Sequence, residues 1–252
     1  MNLSLTAQAM LAAAAFGAGF VDAIAGGGGV ITLPALLFAG LPPHLALGTN
    51  KGQSVFGSAS ALVRYARSGL LDVELAKLTF PLGLVGSALG AQLVLLVSSA
   101  SLRGIVIVLL VGVAVFLALQ GGPGAPRAPV SRPRLVAGAL ALGLGAYDGF
   151  FGPGVGTFLI VALVALLGRT LDRASADAKA VNFASNLAAL ALFASRGVVI
   201  WSVALPMAVA QAAGAWLGAH VTVRGGARVV RPVALLVVAG LVAKLLRDLL
   251  VG

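Results

Sequence analysis

Two lysines and two aspartates stand where charge is expensive. Lys51, Lys179, Asp22 and Asp148 all lie inside apolar sequence, away from either chain end. Insertion of a charged side chain at a helix centre within a bilayer costs about 2.5 to 3.5 kcal/mol, so such residues face protein or water and have a task. Lys51, Ser54 and Ser58 occur at i, i+3 and i+7, and Lys179, Asn182 and Asn186 repeat that spacing, which puts each trio on one helical face. Thr49, Asn50 and Gln53 add polar groups near the first trio. An ammonium beside hydroxyl and amide donors can clamp a small anion. The other reading is that each lysine extends to a membrane interface or ties a helix end.

Asp22 and Asp148 each precede a glycine run, Gly26-Gly27-Gly28-Gly29 and Gly152-Pro153-Gly154-Val155-Gly156, the second followed by Thr157. Three roles fit these carboxylates: partners that neutralise the lysines, proton carriers for coupled transport, or caps for a broken helix. After the runs come short apolar segments, Val30 to Leu41 and Val155 to Gly168, well below the roughly 20 residues of a full span. Paired short segments of this kind point to a transporter's substrate site, where helix N-termini offer N–H groups and a positive dipole end to an anion.

The elements that must position these groups can be read from composition. Of the 252 residues 60% are hydrophobic and 10% charged, against roughly a quarter charged in soluble domains. Apolar runs bounded by charge, Gly and Pro give ten helix candidates, at 5–25, 29–41, 46–66, 74–97, 102–120, 135–151, 155–168, 176–195, 199–221 and 231–250. The expected class is an all-α polytopic membrane protein with lipid as its surroundings and no room for a soluble catalytic domain. A Pro- and Arg-rich stretch, 121–134, separates a first repeat (1–120) from a second (135–252).

The halves resemble each other. At an offset of 126, Gly17, Gly19, Asp22, Gly26 and Gly28 fall on Gly143, Gly145, Asp148, Gly152 and Gly154. At an offset of 128, Ala46, Lys51, Gly69, Gly86, Gly90 and Ala91 fall on Ala174, Lys179, Gly197, Gly214, Gly218 and Ala219. Matched Asp and Lys residues in apolar sequence make the repeat more than a coincidence of glycines. With ten crossings and both termini outside, the cytoplasmic side receives Arg64, Arg67, Lys77, Arg127, Arg132, Arg134, Arg169, Arg173, Arg224, Arg228 and Arg231. The outer side receives Arg103, Arg196, Lys244 and Arg247. That asymmetry favours two inverted repeats of five helical segments, with short broken half-helices after the Gly loops.

Other chemistry lacks its parts. The formal charge of +10 sits in the gaps between apolar runs, so no nucleic-acid partner is expected. Without cysteine there is neither disulfide nor thiolate metal site. His44 and His220 show no metal spacing, and the Gly runs lack the strand or the Gly-Lys-Ser/Thr of a nucleotide loop, so no cofactor is expected. Trp201, beside Arg196, reads as an interfacial anchor, and an enzyme within the membrane is disfavoured.

The strings Gly19-Phe-Val-Asp-Ala-Ile-Ala-Gly-Gly-Gly-Gly29, Ala46-Leu-Gly-Thr-Asn-Lys51, Tyr147-Asp-Gly-Phe-Phe-Gly-Pro-Gly-Val-Gly156 and Ala178-Lys-Ala-Val-Asn-Phe-Ala-Ser-Asn186 resemble the TauE/SafE-type sulfite exporter family, also called the toluene-sulfonate uptake permease family. The similarity covers essentially the whole chain, nearest to the bacterial inner-membrane permeases without an assigned substrate. It implies transport of sulfite or an organosulfonate across a bacterial cytoplasmic membrane. It maps the family's motif positions onto Asp22, Gly26, Gly28, Gly29, Pro34, Thr49, Asn50, Lys51, Asp148, Gly152, Gly154, Gly156, Lys179, Asn182 and Asn186. The linker departs from the family pattern in being short, with no added regulatory module. A proton or sodium ion could couple the transport, or the membrane potential alone could drive it. Monomer and homodimer both fit. The rival readings are a channel-like anion pathway and a non-transporting scaffold.

Overall fold

A computed structural model describes residues 4–119, 130–226 and 228. The segment at 231–250 and most of the 121–134 stretch lie outside these. The described residues form nine helices and no strand: α1 (Leu5–Ala25), α2 (Gly29–Phe38), α3 (Pro43–Ser68), α4 (Val73–Leu96), α5 (Ser99–Leu119), α6 (Pro133–Phe150), α7 (Val155–Leu167), α8 (Leu171–Ser195) and α9 (Trp201–Gly225). Four helices, α3, α5, α6 and α8, start two or more residues before the apolar runs imply, because hydropathy does not mark where a helix begins. Pro43 opens α3 and Pro133 opens α6, where a missing N–H costs nothing. Thr170 precedes α8, whose first turn carries the polar residues Asp172 and Arg173.

Helices α1, α4, α9 and Ser99–Phe116 of α5 are long and apolar enough to cross a membrane. Their outward faces are apolar, with Leu89 and Leu93 of α4, Val108 of α5, and Val209 of α9 more than half exposed, as contact with lipid requires. Helices α3 and α8 are as long, at 26 and 25 residues, but carry the polar faces and sit at the centre against each other. With 10 and 13 residues, α2 and α7 reach about 15 and 20 Å, short of a bilayer's roughly 30 Å.

Glycine lets the outer helices approach the inner ones at backbone contact. A Cβ at Gly86 or Gly90 of α4 would lie 2.9 Å from Ala146 N or 2.8 Å from Phe150 N of α6. A Cβ at Gly214 or Gly218 of α9 would lie 2.9 Å from the carbonyl carbon of Phe16 or 3.0 Å from that of Phe20, both on α1. These are the same contacts at the repeat offsets: Gly86/Gly214, Gly90/Gly218, Phe20/Ala146. Small residues here serve close packing, the main attraction between helices where lipid removes the hydrophobic drive.

The register of these contacts gives direction. Phe16 and Phe20 meet Gly214 and Gly218 in rising order, so α1 runs parallel to α9. α3 also runs parallel to α9, since Gly48 meets Val198, Gly57 meets Gln211, and Arg64 Nε donates to His220 Nδ1 at 3.2 Å. By the same reasoning α4 and α6 run together. One end of the bundle gathers Arg64, Lys77, Arg134, Arg169 and Arg224, joined by the Arg64–His220 contact and by Arg169, which bonds Asp72 and lies 3.2 Å from Asp177 Oδ2. The N–H of Leu75, with the Arg169 guanidinium behind it, holds the Asp72 carboxyl below the usual carboxylate range. The opposite end holds the starts of α3, α5 and α9, with His44 ring nitrogens 3.2 Å from Val94 O and Ser99 Oγ.

Candidate functional site

The two lysines do not reach for an interface. Each stands eight residues into its helix, Lys51 after Pro43 and Lys179 after Leu171, and their side chains are 2% and 0% exposed. Each is neutralised by a carboxylate from the other half of the chain. Lys51 Nζ lies 2.6 Å from Asp148 Oδ1, and Lys179 Nζ lies 2.7 Å from Asp22 Oδ2. The two ion pairs are therefore exchanged copies of one contact, at offsets of 128 for lysine and 126 for aspartate.

Their surroundings differ. Lys51 Nζ also donates to Asn186 Oδ1 at 2.9 Å, and Ser185 Oγ donates to Asp148 Oδ2. Asp22 is the more open carboxylate, its side chain 16% exposed against 3% for Asp148. Asp22 Oδ1 accepts the Gly28 N–H at 3.2 Å, at the start of α2. It thus combines two of the three roles read from sequence, lysine partner and cap of the broken helix.

The two Gly loops meet between these pairs. Gly26 and Gly152 hold φ of 75° and 98°, a region glycine enters without strain. A Cβ on Gly26 would overlap Thr157 N and lie 2.8 Å from Gly156 Cα. A Cβ on Gly29 would sit 3.2 Å from Pro153 Cα. Thr157 Oγ1 donates to Ala25 O at 3.0 Å, and Tyr147 OH to Pro153 O at 2.8 Å, fixing both loops. The loops are not conformational copies: Gly154 caps α7 at φ 85°, whereas Gly28 before α2 is helical at φ −53°. The N-terminal ends of both half-helices consequently lie beside the ion pairs, where their dipoles favour negative charge.

Between them is a cavity of about 30 Å³, lined by Asp22, Gly29, Asn50, Lys51, Ser54, Asp148, Gly152, Val155, Asn182, Asn186 and Gln211. That is room for a water molecule or two. Asn50 Oδ1 is held by Thr32 Oγ1 at 2.6 Å and Gln53 Nε2 at 2.9 Å. Among the described residues Asn182 Oδ1 and Gln211 Oε1 have no protein donor although both side chains are buried, and water or a substrate donor would complete them.

The structure brings most of the sequence-identified residues to this cavity but not all. Thr49 faces away: its Oγ1 accepts the N–H of Ile200, the residue before α9, at 3.0 Å. Its repeat counterpart is Asp177, whose Oδ1 accepts the N–H of Asp72, the residue before α4, at 2.9 Å. Both tie a helix start. Ser58 Oγ donates to Ser54 O at 2.9 Å and accepts from Asn186 Nδ2 at 3.5 Å, supporting the site from behind. Gly26, Gly28, Gly154, Gly156 and Thr157 shape the loops and their contact rather than line the cavity, and Lys179 meets the site only through Asp22. Three contributors escaped the sequence reading: Ser185, Gln211 and Thr32. Gln211 was detectable as a buried amide in an apolar span, but its repeat counterpart is Gly83, so a search for matched positions passes over it.

Comparison with known proteins agrees with this architecture. The family model described as "Sulfite exporter TauE/SafE" matches residues 11–245. A "Probable membrane transporter protein ORF9" of Sinorhizobium sp is 39% identical over 251 residues, 98% of this chain and 95% of the relative. The "Probable membrane transporter protein YfcA" of Escherichia coli (strain K12) is 40% identical over 235 residues, 92% and 86% of the two chains. A "Probable membrane transporter protein" of Haemophilus influenzae is 36% identical over 249 residues, 98% of each. No solved structure matches the chain. An all-helical membrane protein with paired buried lysines and facing Gly loops, matched over almost its full length by these relatives, belongs to the sulfite exporter TauE/SafE family of membrane transporters.

Proposed function

We propose that this protein is a secondary transporter, not an enzyme, for a small anion such as sulfite or an organosulfonate, in a bacterial cytoplasmic membrane. The observation that carries the reading is the crossed pair of buried lysines, each held by a carboxylate of the other half beside a broken-helix N-terminus. Buried ion pairs are a poor way to join helices, since apolar residues of similar volume serve as well or better. An oxyanion that took the place of a carboxylate would meet an ammonium, amide donors and two dipole ends.

The reading extends to inverted repeats. In support, α1 and α3 run with α9, and α4 runs with α6, and the matched contacts exchange halves. The end that collects Arg64, Lys77, Arg134, Arg169 and Arg224 would be cytoplasmic, which leaves the start of α1 outside, and a crossing by the apolar run at 231–250 would return the C-terminus to that side. A site large enough for only water favours a gated carrier over an open pore, because an anion enters only if the halves part. The cycle then closes one end while opening the other around a fixed site.

The test is counterflow. Proteoliposomes preloaded with unlabelled sulfite or sulfoacetate should accumulate the labelled anion transiently, with a saturable rate. Flux that grows linearly with concentration and shows no stimulation by internal anion would identify a channel. The absence of flux for any sulfur oxyanion, in protein that remains folded, would favour the scaffold.

A further inference from the structure

We infer that Asp148, and not its repeat counterpart Asp22, carries one proton with each anion. The inference rests on the anion-transport reading above and assigns its coupling ion. The starting point is space. The cavity beside Lys51 is about 30 Å³, and Lys51 Nζ already spends two of its three donors on Asp148 Oδ1 and Asn186 Oδ1. A tetrahedral or pyramidal oxyanion must therefore displace a carboxylate to reach that ammonium.

Displacement affects the two aspartates differently. Asp148 would be left buried with Ser185 Oγ as its remaining side-chain partner. Among the described residues no titratable side chain other than Lys51 and Asp22 lines the cavity with it. Helix α4 presents Gly86, Ser87 and Gly90 to α6, α7 has no titratable residue, and the hydroxyl of neighbouring Tyr147 is committed to Pro153 O. Lys179 on α8 is committed to Asp22. An unpaired carboxylate in such surroundings binds a proton in place of its lost ammonium. Asp22 keeps the Gly28 N–H and greater exposure, so a donor and water remain within its reach whichever partner Lys179 takes. The proton moves from water to an Asp148 oxygen as the anion arrives, and leaves when Lys51 returns. Anion and proton travel in the same direction.

The measurement is calorimetric titration of the purified full-length protein with thiosulfate and with sulfoacetate, whose charges are constant between about pH 6 and pH 8, in two buffers of different ionisation enthalpy. The difference in apparent heat counts protons taken up. The wild type should take up one proton per anion, and by linkage its dissociation constant should rise tenfold per unit of pH. Counted per anion bound, whatever each variant's affinity, Asp22→Asn should take up one proton and Asp148→Asn none, and Asp148→Glu should recover uptake, which a purely structural aspartate would not do. Binding without proton uptake in the wild type, or uptake lost in Asp22→Asn and retained in Asp148→Asn, overturns the assignment while leaving the anion site standing. If Asp148→Asn does not purify in folded form, the Asp22→Asn count and the wild-type pH slope decide it. No binding of either anion removes the parent reading and this one together.

Discussion

Lys51→Ala is expected to cost about 3 to 5 kcal/mol of folding stability and to abolish anion binding. The cost comes from what remains: the Asp148 carboxyl, 2% exposed, loses the ammonium that compensates its burial. Removing both partners should be much milder, because a buried pair replaced by uncharged groups is often close to neutral. In a double-mutant cycle Lys51→Ala/Asp148→Ala should therefore recover most of the stability lost in the single variant, and none of the binding. The crossed pairing makes a sharper demand. Lys51→Ala/Asp22→Ala combines residues of the same half that are not partners, so it should recover much less of the loss than Lys51→Ala/Asp148→Ala does. Denaturant unfolding in detergent separates these cases. A single Lys51 variant within about 0.5 kcal/mol of wild type would mean that the ammonium reaches water and that the site is not closed.

Gly26→Ala should be severely damaging, because it combines a backbone clash with a positive φ. At φ 75° a side chain is strained by about 1 to 3 kcal/mol, and the added carbon would overlap the backbone nitrogen of Thr157, which cannot rotate away. The second Gly loop must move for it to fit, so the two half-helix starts separate and both ion pairs shift. We expect a loss above about 3 kcal/mol and failure to bind anion. Gly17→Ala on the same helix is the control. Nothing lies within 4 Å of its Cβ position, and replacing a mid-helix glycine by alanine stabilises by roughly 0.5 to 1 kcal/mol. If the two variants melt alike, the loops do not touch.

The comparison of sequence with structure separates what is local from what is not. The spacing Lys51, Ser54, Ser58 and its echo Lys179, Asn182, Asn186 is a property of one helix each, and the faces it implies are those turned to the site or to its support. The Asp–Lys pairing was legible as chemistry, but which aspartate serves which lysine depends on how the halves cross, and no periodicity encodes that. Thr49 shows the opposite limit. It sits in a motif beside the site lysine, yet helical geometry turns its side chain toward the start of α9. The early starts of α3 and α8 were hidden because hydropathy marks where apolar residues begin, whereas α3 opens on Pro43 and His44 and α8 on a turn that carries Asp172 and Arg173.

The central claim is that buried lysines 51 and 179 hold a sulfur oxyanion, and thermal unfolding tests it most directly. The detergent-purified protein is heated with sulfite, sulfate, thiosulfate, sulfoacetate, taurine, lactate or chloride, beside a Lys51→Ala/Lys179→Ala variant. A ligand bound only by the folded state adds about 2.7 kcal/mol at 100 times its dissociation constant, a shift of about 5 to 10 °C in a chain of this size. A selective rise with a sulfur oxyanion that disappears in the variant is the predicted result. An equal rise in both proteins, or no rise with any anion in the wild type, would contradict it and leave the lysines as internal ties.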